Sequence, residues 1–177
     1  MYKLRFSKSQ LAKYILKYNV NHKEKDAALC SLITGIQSRG YMTKDELRVV
    51  ADWKSPRSKR HIEKNSEDFI GAISSFALSS ADERARISAL TLLDGVQWPT
   101  ASVLLHFFHQ GSYPILDFRA LWSLSMEEPS QYNFTFWWSY TKFCRSLAKE
   151  ANLDMRSLDQ ALWQYSKDHQ RSVRRIT

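Results

Sequence analysis

The chain has 177 residues, enough for one compact domain or two small helical lobes, and 44% of them are hydrophobic, which supports a real core and excludes a disordered chain. The net charge of +8 favours a polyanionic partner, nucleic acid first and an anionic membrane surface second; a basic surface that only aids solubility is the alternative. Two cysteines, Cys30 and Cys144, are too few for a four-cysteine cluster or zinc site, and both sit among apolar residues, as buried thiols in a reducing compartment would. The segment MYKLRFSKSQ has no apolar run, and no stretch approaches the length of a membrane span. The expectation is a cytoplasmic monomer, nucleoid-associated if prokaryotic, with no membrane partner.

Five glycines and four prolines are too few for a turn-rich all-β chain, and the apolar spacing is helical nearly throughout, so the expected class is all-α. Residues 7–18 carry Leu11, Tyr14, Ile15 and Tyr18 on one face. A second helix runs from Asp26 to Arg39, with Leu29, Ile33 and Ile36, and Gly40 suits its C-cap. Thr43 and Glu46 form a capping box for a short helix through Val50. From Ala51 to Asn65 the pattern is irregular and basic, with Lys54, Arg57, Lys59, Arg60 and Lys64, and Pro56 breaks it. A helix from Ser66 to Leu78 is expected to bury Phe69, Ile70, Ile73 and Phe76.

Ser80 and Glu83 predict a capping box for a helix ending near Leu93. Pro99 suits the first position of the following helix, which runs to Phe108, because an N–H there would be unpaired anyway. Asp117 precedes another helix through Leu124. Residues 134–151 form a long aromatic helix with Phe134, Trp137, Trp138, Phe143 and Leu147, and Asp154 or Ser157 caps a last helix to about Gln170. The tail from Arg171 is basic and expected to be mobile. No repeat or linker divides the chain, so residues 1–177 are expected as one helical domain.

Two features carry possible chemistry. The turn Leu93-Asp94-Gly95-Val96-Gln97 joins two helices and leaves the first N–H groups of the second able to hold a phosphate oxygen. Many such turns touch nothing. Asp117 lies between Leu116 and Phe118, where a carboxylate is costly unless it is used. It can simply cap the helix that starts at Phe118, or pair with Arg119, and it can also face a cleft and stabilise positive charge developing on a sugar.

The run Leu93-Asp94-Gly95-Val96-Gln97-Trp98-Pro99-Thr100-Ala101-Ser102, followed by Tyr113-Pro114-Ile115-Leu116-Asp117, resembles the signature of the helix-hairpin-helix DNA glycosylase superfamily. The match is specific over residues 88–124 and topological elsewhere. The resemblance implies a two-lobed all-α fold with a cleft for double-stranded DNA, one lobe spanning about 26–110 and the other the N-terminal helix plus 113–170. It implies that a nucleotide is flipped out and its base removed. Asp117 takes the place of the catalytic aspartate and Gly95 that of the hairpin glycine. The amides around Gly95, Gln97 and Thr100 would contact phosphate, and a monovalent cation often sits at the hairpin backbone in that family. The chain departs from the pattern twice. Bifunctional members carry a lysine where this chain has Pro99, and proline cannot form a Schiff base, so the chain resembles the monofunctional members. The second hairpin glycine is replaced by Gln97.

Aromatic side chains at helical spacing are mostly core, as expected for Trp122, Trp137 and Trp163. Trp53 and Tyr113 are candidates for a base pocket, and Trp98 stands at the hairpin itself. Lys54, Arg57, Lys59 and Arg60 could track a DNA backbone or form a solvated helix face. His106 and His109 have metal-ligand spacing but lack a third partner nearby, so neither a side-chain metal site nor any other cofactor is expected. Three readings stay open: a base-removing enzyme, a DNA-binding or scaffold module that kept the fold without the chemistry, and a helical protein acting through protein partners.

Overall fold

The computed structural model describes residues 2–170, which contain helices and no strand. The basic tail from Arg171 lies outside the described residues. Ten α-helices follow in order: α1 Leu11–Cys30, α2 Ile33–Arg39, α3 Lys44–Lys54, α4 Lys59–Ile62, α5 Glu67–Ser79, α6 Glu83–Leu90, α7 Trp98–Phe108, α8 Phe118–Ser123, α9 Phe134–Ala151 and α10 Met155–His169. Short 3-10 turns at Lys8–Gln10 and Pro56–Ser58 precede α1 and α4.

Most helix ends have a visible chemical cause. Thr43 and Glu46 form the expected capping box at α3, and Gly40 ends α2 in the left-handed conformation with φ 79°. Ser66, Asp117, Asn133 and Asp154 each cap a helix through a side-chain oxygen that accepts a backbone N–H. Several expectations need correction. The first two helices do not break near Tyr18 but after Cys30; residues 19–25 carry no glycine or proline, so a polar stretch continues α1 along the surface. Asp82, not Ser80, caps α6. On α5 the buried side holds Ile70, Ser74 and Ala77, while Phe69 and Phe76 are exposed. Pro99 takes the second rather than the first position of α7, which costs no hydrogen bond either. Cys144 is buried as expected, but Cys30 at the end of α1 is exposed.

The helices pack in two groups. α1 lies along α10, which also packs on α8 and α9; α3, α4, α5, α6 and α7 form the other set, with α2 against α7. α1 also touches α3 and joins the sets. One continuous apolar core runs through both, from Leu29, Ile36 and Leu47 to Leu121, Trp137 and Leu162. The N-terminal segment is laid across α8 by Lys3 and Arg5 amides bonded to Leu124 and Ser123 carbonyls, while Phe6 stacks on Tyr165 at 4.2 Å.

The segment from α7 to α8 delivers Asp117, and buried polar groups hold it. Ser102 Oγ accepts the Leu116 N–H at 2.8 Å and donates to Pro99 O at 2.7 Å. Tyr140 Oη donates to Ile115 O at 2.9 Å, and His106 Nδ1 donates to Tyr113 O at 2.6 Å. Burial, and then the charge of Arg156, lowers His106 to about 3, so its ring is neutral and can make that bond with Nδ1–H. The contribution of His106 to stability is therefore present above pH 6.5 and lost as the pH falls through about 3. Replacing Ser102 by alanine leaves the Leu116 N–H buried without its acceptor. Ser102→Ala is expected to lower unfolding free energy by about 1–3 kcal/mol in urea titrations, whereas an unchanged midpoint would show that the loop is held without this hydroxyl.

Candidate functional site

α6 and α7 are joined by a turn whose shape depends on two residues. Gly95 has φ 84°, a left-handed conformation that disfavours any side chain, and a Cβ there would meet Ile62 Cδ1 and Ser58 O at 3.0 Å. Asn65 locks the turn from α4's end: its amide donates to Asp94 O and Ile62 O, each at 3.0 Å, and its Oδ1 accepts the Asp94 N–H at 2.9 Å. Asn65 is buried, and no spacing rule marks it in the sequence. Gln97 sits at φ −104° and ψ 172°, extended backbone open to any residue, so the loss of a second glycine costs the turn nothing. Among the described residues, the N–H groups of Gly95 and Gln97 donate to no protein acceptor, and Gln97 caps α7 without its side chain.

This turn forms one rim of a cleft of about 400 Å³, lined among others by Gly95, Gln97, Pro99 and Thr100. Asp117 lies at its floor, with a side chain only 17% exposed. Oδ1 accepts the Arg119 N–H at 2.9 Å as the α8 cap. Oδ2 accepts a hydrogen bond from Lys54 Nζ at 2.7 Å. Burial alone pushes the Asp117 carboxyl up, but the Lys54 ammonium, its hydrogen bond and the Arg119 amide together hold it below the usual carboxylate range. Asp117 is therefore an anion at neutral pH.

The same cleft is also lined by part of a polar knot that the sequence does not announce. Arg156 of α10 donates to Tyr18 Oη at 2.9 Å, to Asp159 Oδ2 at 2.8 Å and to Asp26 Oδ2. Trp53 Nε1 and Tyr18 Oη both donate to Asp26 Oδ1 at 3.3 Å. Arg156 lies 5.9 Å from the Trp53 ring centroid and 5.2 Å from that of Phe107. These residues come from α1, α3, α7 and α10, and only packing brings them together. Burial pushes the Asp159 carboxyl up to about 7, although Arg156 opposes it.

The structure sorts the candidate residues. Asp117, Gly95, Gln97, Thr100, Trp53, Lys54 and Arg57 line this one cleft. Trp98 instead borders a neighbouring apolar groove of about 1220 Å³ with Phe134 and Phe143. Tyr113 does not line this cleft: it is buried, stacks on Trp137 at 5.8 Å, and donates its hydroxyl to Glu83 at 2.7 Å. Lys59 pairs with Asp52 at 2.9 Å, and Arg60 Nε bonds His61 Nε2 at 3.2 Å, so both sit outside the cleft on the surface. Lys54 is not a free surface cation but the partner of Asp117. Trp137 is core, as expected, while Trp122 is half-buried and Trp163 lines the cleft.

No group of three His, Cys, Asp or Glu residues that could hold a metal occurs among the described residues. At the turn, the carbonyls of Leu93, Asp94 and Gln97 already accept protein hydrogen bonds. No described helix is long and apolar enough to cross a membrane. Comparison with known protein families, curated proteins and solved structures finds no match to this chain.

Asp159 gives the cleft a characteristic pH response. Its folded value of about 7 lies above the ordinary 3.8, so its contribution favours the fold below about pH 4 and is lost as the pH rises through 7. Asp159→Asn should remove that loss. Measured by urea unfolding, the stability of wild type minus that of the variant is expected to fall between pH 5 and pH 8. A flat difference over that range would show that Asp159 is ionised against Arg156 throughout.

Proposed function

We propose that this protein binds double-stranded DNA and hydrolyses the N-glycosidic bond of a damaged or modified base, with Asp117 as the essential carboxylate. The observation that carries this is the meeting of an ionised, sheltered carboxylate with the glycine turn in one cleft. When the C1′–N bond lengthens, the sugar acquires oxocarbenium character. A carboxylate in a poorly hydrated site stabilises that charge or orients the attacking water. The free N–H groups of Gly95 and Gln97 point to a phosphate grip that sets register on the duplex without reading sequence. Trp53, Tyr18 and Trp163 supply aromatic surface for an extruded base. The resemblance over residues 88–124 supports the same assignment.

A second reading is favoured by one observation. Lys54 neutralises Asp117, as it would in a module that kept the fold for DNA binding or scaffolding alone. Release of free base from a panel of modified duplexes separates the two. Under the enzyme reading, Asp117→Asn lowers release by about 100-fold or more. Equal release by variant and wild type would remove Asp117 from the chemistry, and no release from any duplex by a protein that binds DNA would favour the module.

Duplex affinity should also fall steeply with salt, because the cationic rim displaces counterions. Arg57→Gln is expected to reduce the slope of log affinity against log salt by about one, with binding weakened evenly across sequences. An unchanged slope in fluorescence anisotropy titrations would place Arg57 off the backbone path.

A further inference from the structure

A separate pocket of about 670 Å³ is lined by the start of α6, the 109–113 loop, the end of α9 and the start of α10. It shares no lining residue with the Asp117 cleft. Three cations line it, Arg86, Arg145 and Lys149, against two carboxylates, Glu83 and Asp154. Both carboxylates are engaged within the protein. Glu83 Oε2 accepts from Arg86 Nη1 and from Tyr113 Oη, each at 2.7 Å, and Asp154 caps α10 through Ser157 N–H at 2.8 Å and Ser157 Oγ at 2.7 Å. The cations are less fully matched. Arg145 donates Nε to Ser112 O at 2.7 Å, and its guanidinium carbon lies 4.7 Å from the Tyr113 ring centroid and 5.3 Å from that of Trp138, so its plane is held. Its Nη1 stops 3.8 Å from Glu83 Oε1, beyond hydrogen-bond reach. Lys149 follows one turn later on α9; it is exposed, and its ammonium makes no ion pair among the described residues. The Arg86 side chain is only 9% exposed, and its Nε is buried with no hydrogen-bond partner. His109 adds no charge: burial, and then the charge of Arg86, holds it below its ordinary value, and its Nδ1 accepts the Gly111 N–H at 2.7 Å.

We propose that this pocket binds a free small phosphomonoester, its phosphate held by Arg145 and Lys149 and its organic part resting on Ala148, Leu153 and Met155. The assignment stands apart from the DNA reading of the Asp117 cleft and does not need it. More cations than carboxylates line the pocket, so its field attracts an anion. Arg145 presents a fork already fixed by Ser112 and two rings, so little side-chain entropy is lost when the fork takes two oxygens of one phosphate. Lys149 brings a second cation to the same face of α9, as residues four apart on a helix do. Arg86 has its Nη groups engaged by Glu83, Tyr113 and Ser80, and it contributes charge rather than a contact. Glu83 opposes any anion here and keeps the affinity modest. The volume exceeds what a bare phosphate needs and lies in the range of small-molecule sites, and the apolar lining gives the remainder of such a ligand a place out of water.

The test is an NMR titration of the isotope-labelled full chain with thymidine 5′-monophosphate, inorganic phosphate and thymidine. The monophosphate is expected to bind with a Kd of about 1 mM or tighter, inorganic phosphate more weakly and thymidine not at all. The shifted amides should be those of residues 109–113 and 145–149, not those around Gly95. Affinity should rise as the pH passes through about 6, where the phosphate takes its second charge. Lys149→Glu and Arg145→Gln should each weaken binding of the monophosphate by about tenfold or more, with wild-type helicity by circular dichroism. No shifts with the monophosphate at about 10 mM, thymidine or inorganic phosphate binding as tightly as the monophosphate, or full affinity in Lys149→Glu overturns the proposal. So do shifts centred on the Asp117 cleft. The amide map of the wild type decides the location even if a variant fails to fold. Competing duplexes separate the sources of the phosphate. Displacement of the monophosphate by an unphosphorylated duplex would move it to a DNA site, and displacement only by a duplex with a 5′ phosphate would assign the pocket to a DNA end; either result overturns the small-molecule assignment.

Discussion

The contact between Lys54 and Asp117 ties the end of α3 to the start of α8, and much of the cleft's architecture depends on it. Two charges at such sheltered positions are costly to remove from water, and their attraction compensates only when the geometry is good. Here the geometry is good at both ends of the carboxylate. One oxygen takes the ammonium and the other caps α8 through the Arg119 amide. The carboxylate therefore caps α8 while it lines the cleft. Removing either partner would leave the other uncompensated in a poorly hydrated place, which makes the pair a constraint on the fold as well as a candidate for chemistry.

The polar knot around Arg156 is built on the same principle with more members. Arg156 satisfies Asp26, Asp159 and Tyr18 together, and its flat face lies against aromatic rings. A guanidinium can do this because its five donors are fixed in a plane and spread over three nitrogens; a lysine ammonium has three donors on one atom and no flat face to lay against the rings. The result is a cleft lined in part by Tyr18, Trp53 and Trp163, in which Arg156, Asp159 and Tyr18 are paired with one another.

Much of this was legible along the chain, for definable reasons. Caps at Thr43, Asp117 and Asp154 are read from two or three neighbouring residues, since the hydrogen bond they make spans only two or three positions. Gly95 was legible because a tight turn between helices needs the left-handed backbone. The basic segment was legible as charge but not as placement. Lys54, Lys59 and Arg60 look alike in the sequence, yet one faces the cleft floor and two face the surface, because α3 ends at Lys54 and the chain then turns through Pro56–Ser58. Aromatic residues misled for a related reason. Tyr113 and Trp163 both sit at helical or loop positions compatible with core or cleft, and only the packing of α9 and α10 decides which.

Composition and periodicity by themselves determined the helical class, the positive charge, most caps, and the pairing of a glycine turn with a downstream aspartate, because each is a property of residues close together in sequence or of the chain as a whole. The partner of that aspartate was decided only by tertiary structure. Lys54 and Asp117 are 63 positions apart, and Arg156 and Asp26 are 130 apart. No local rule couples residues at such separations. They meet because burying the apolar faces of α1, α3, α7, α8 and α10 in one core brings the charged side chains at their edges together around the cleft.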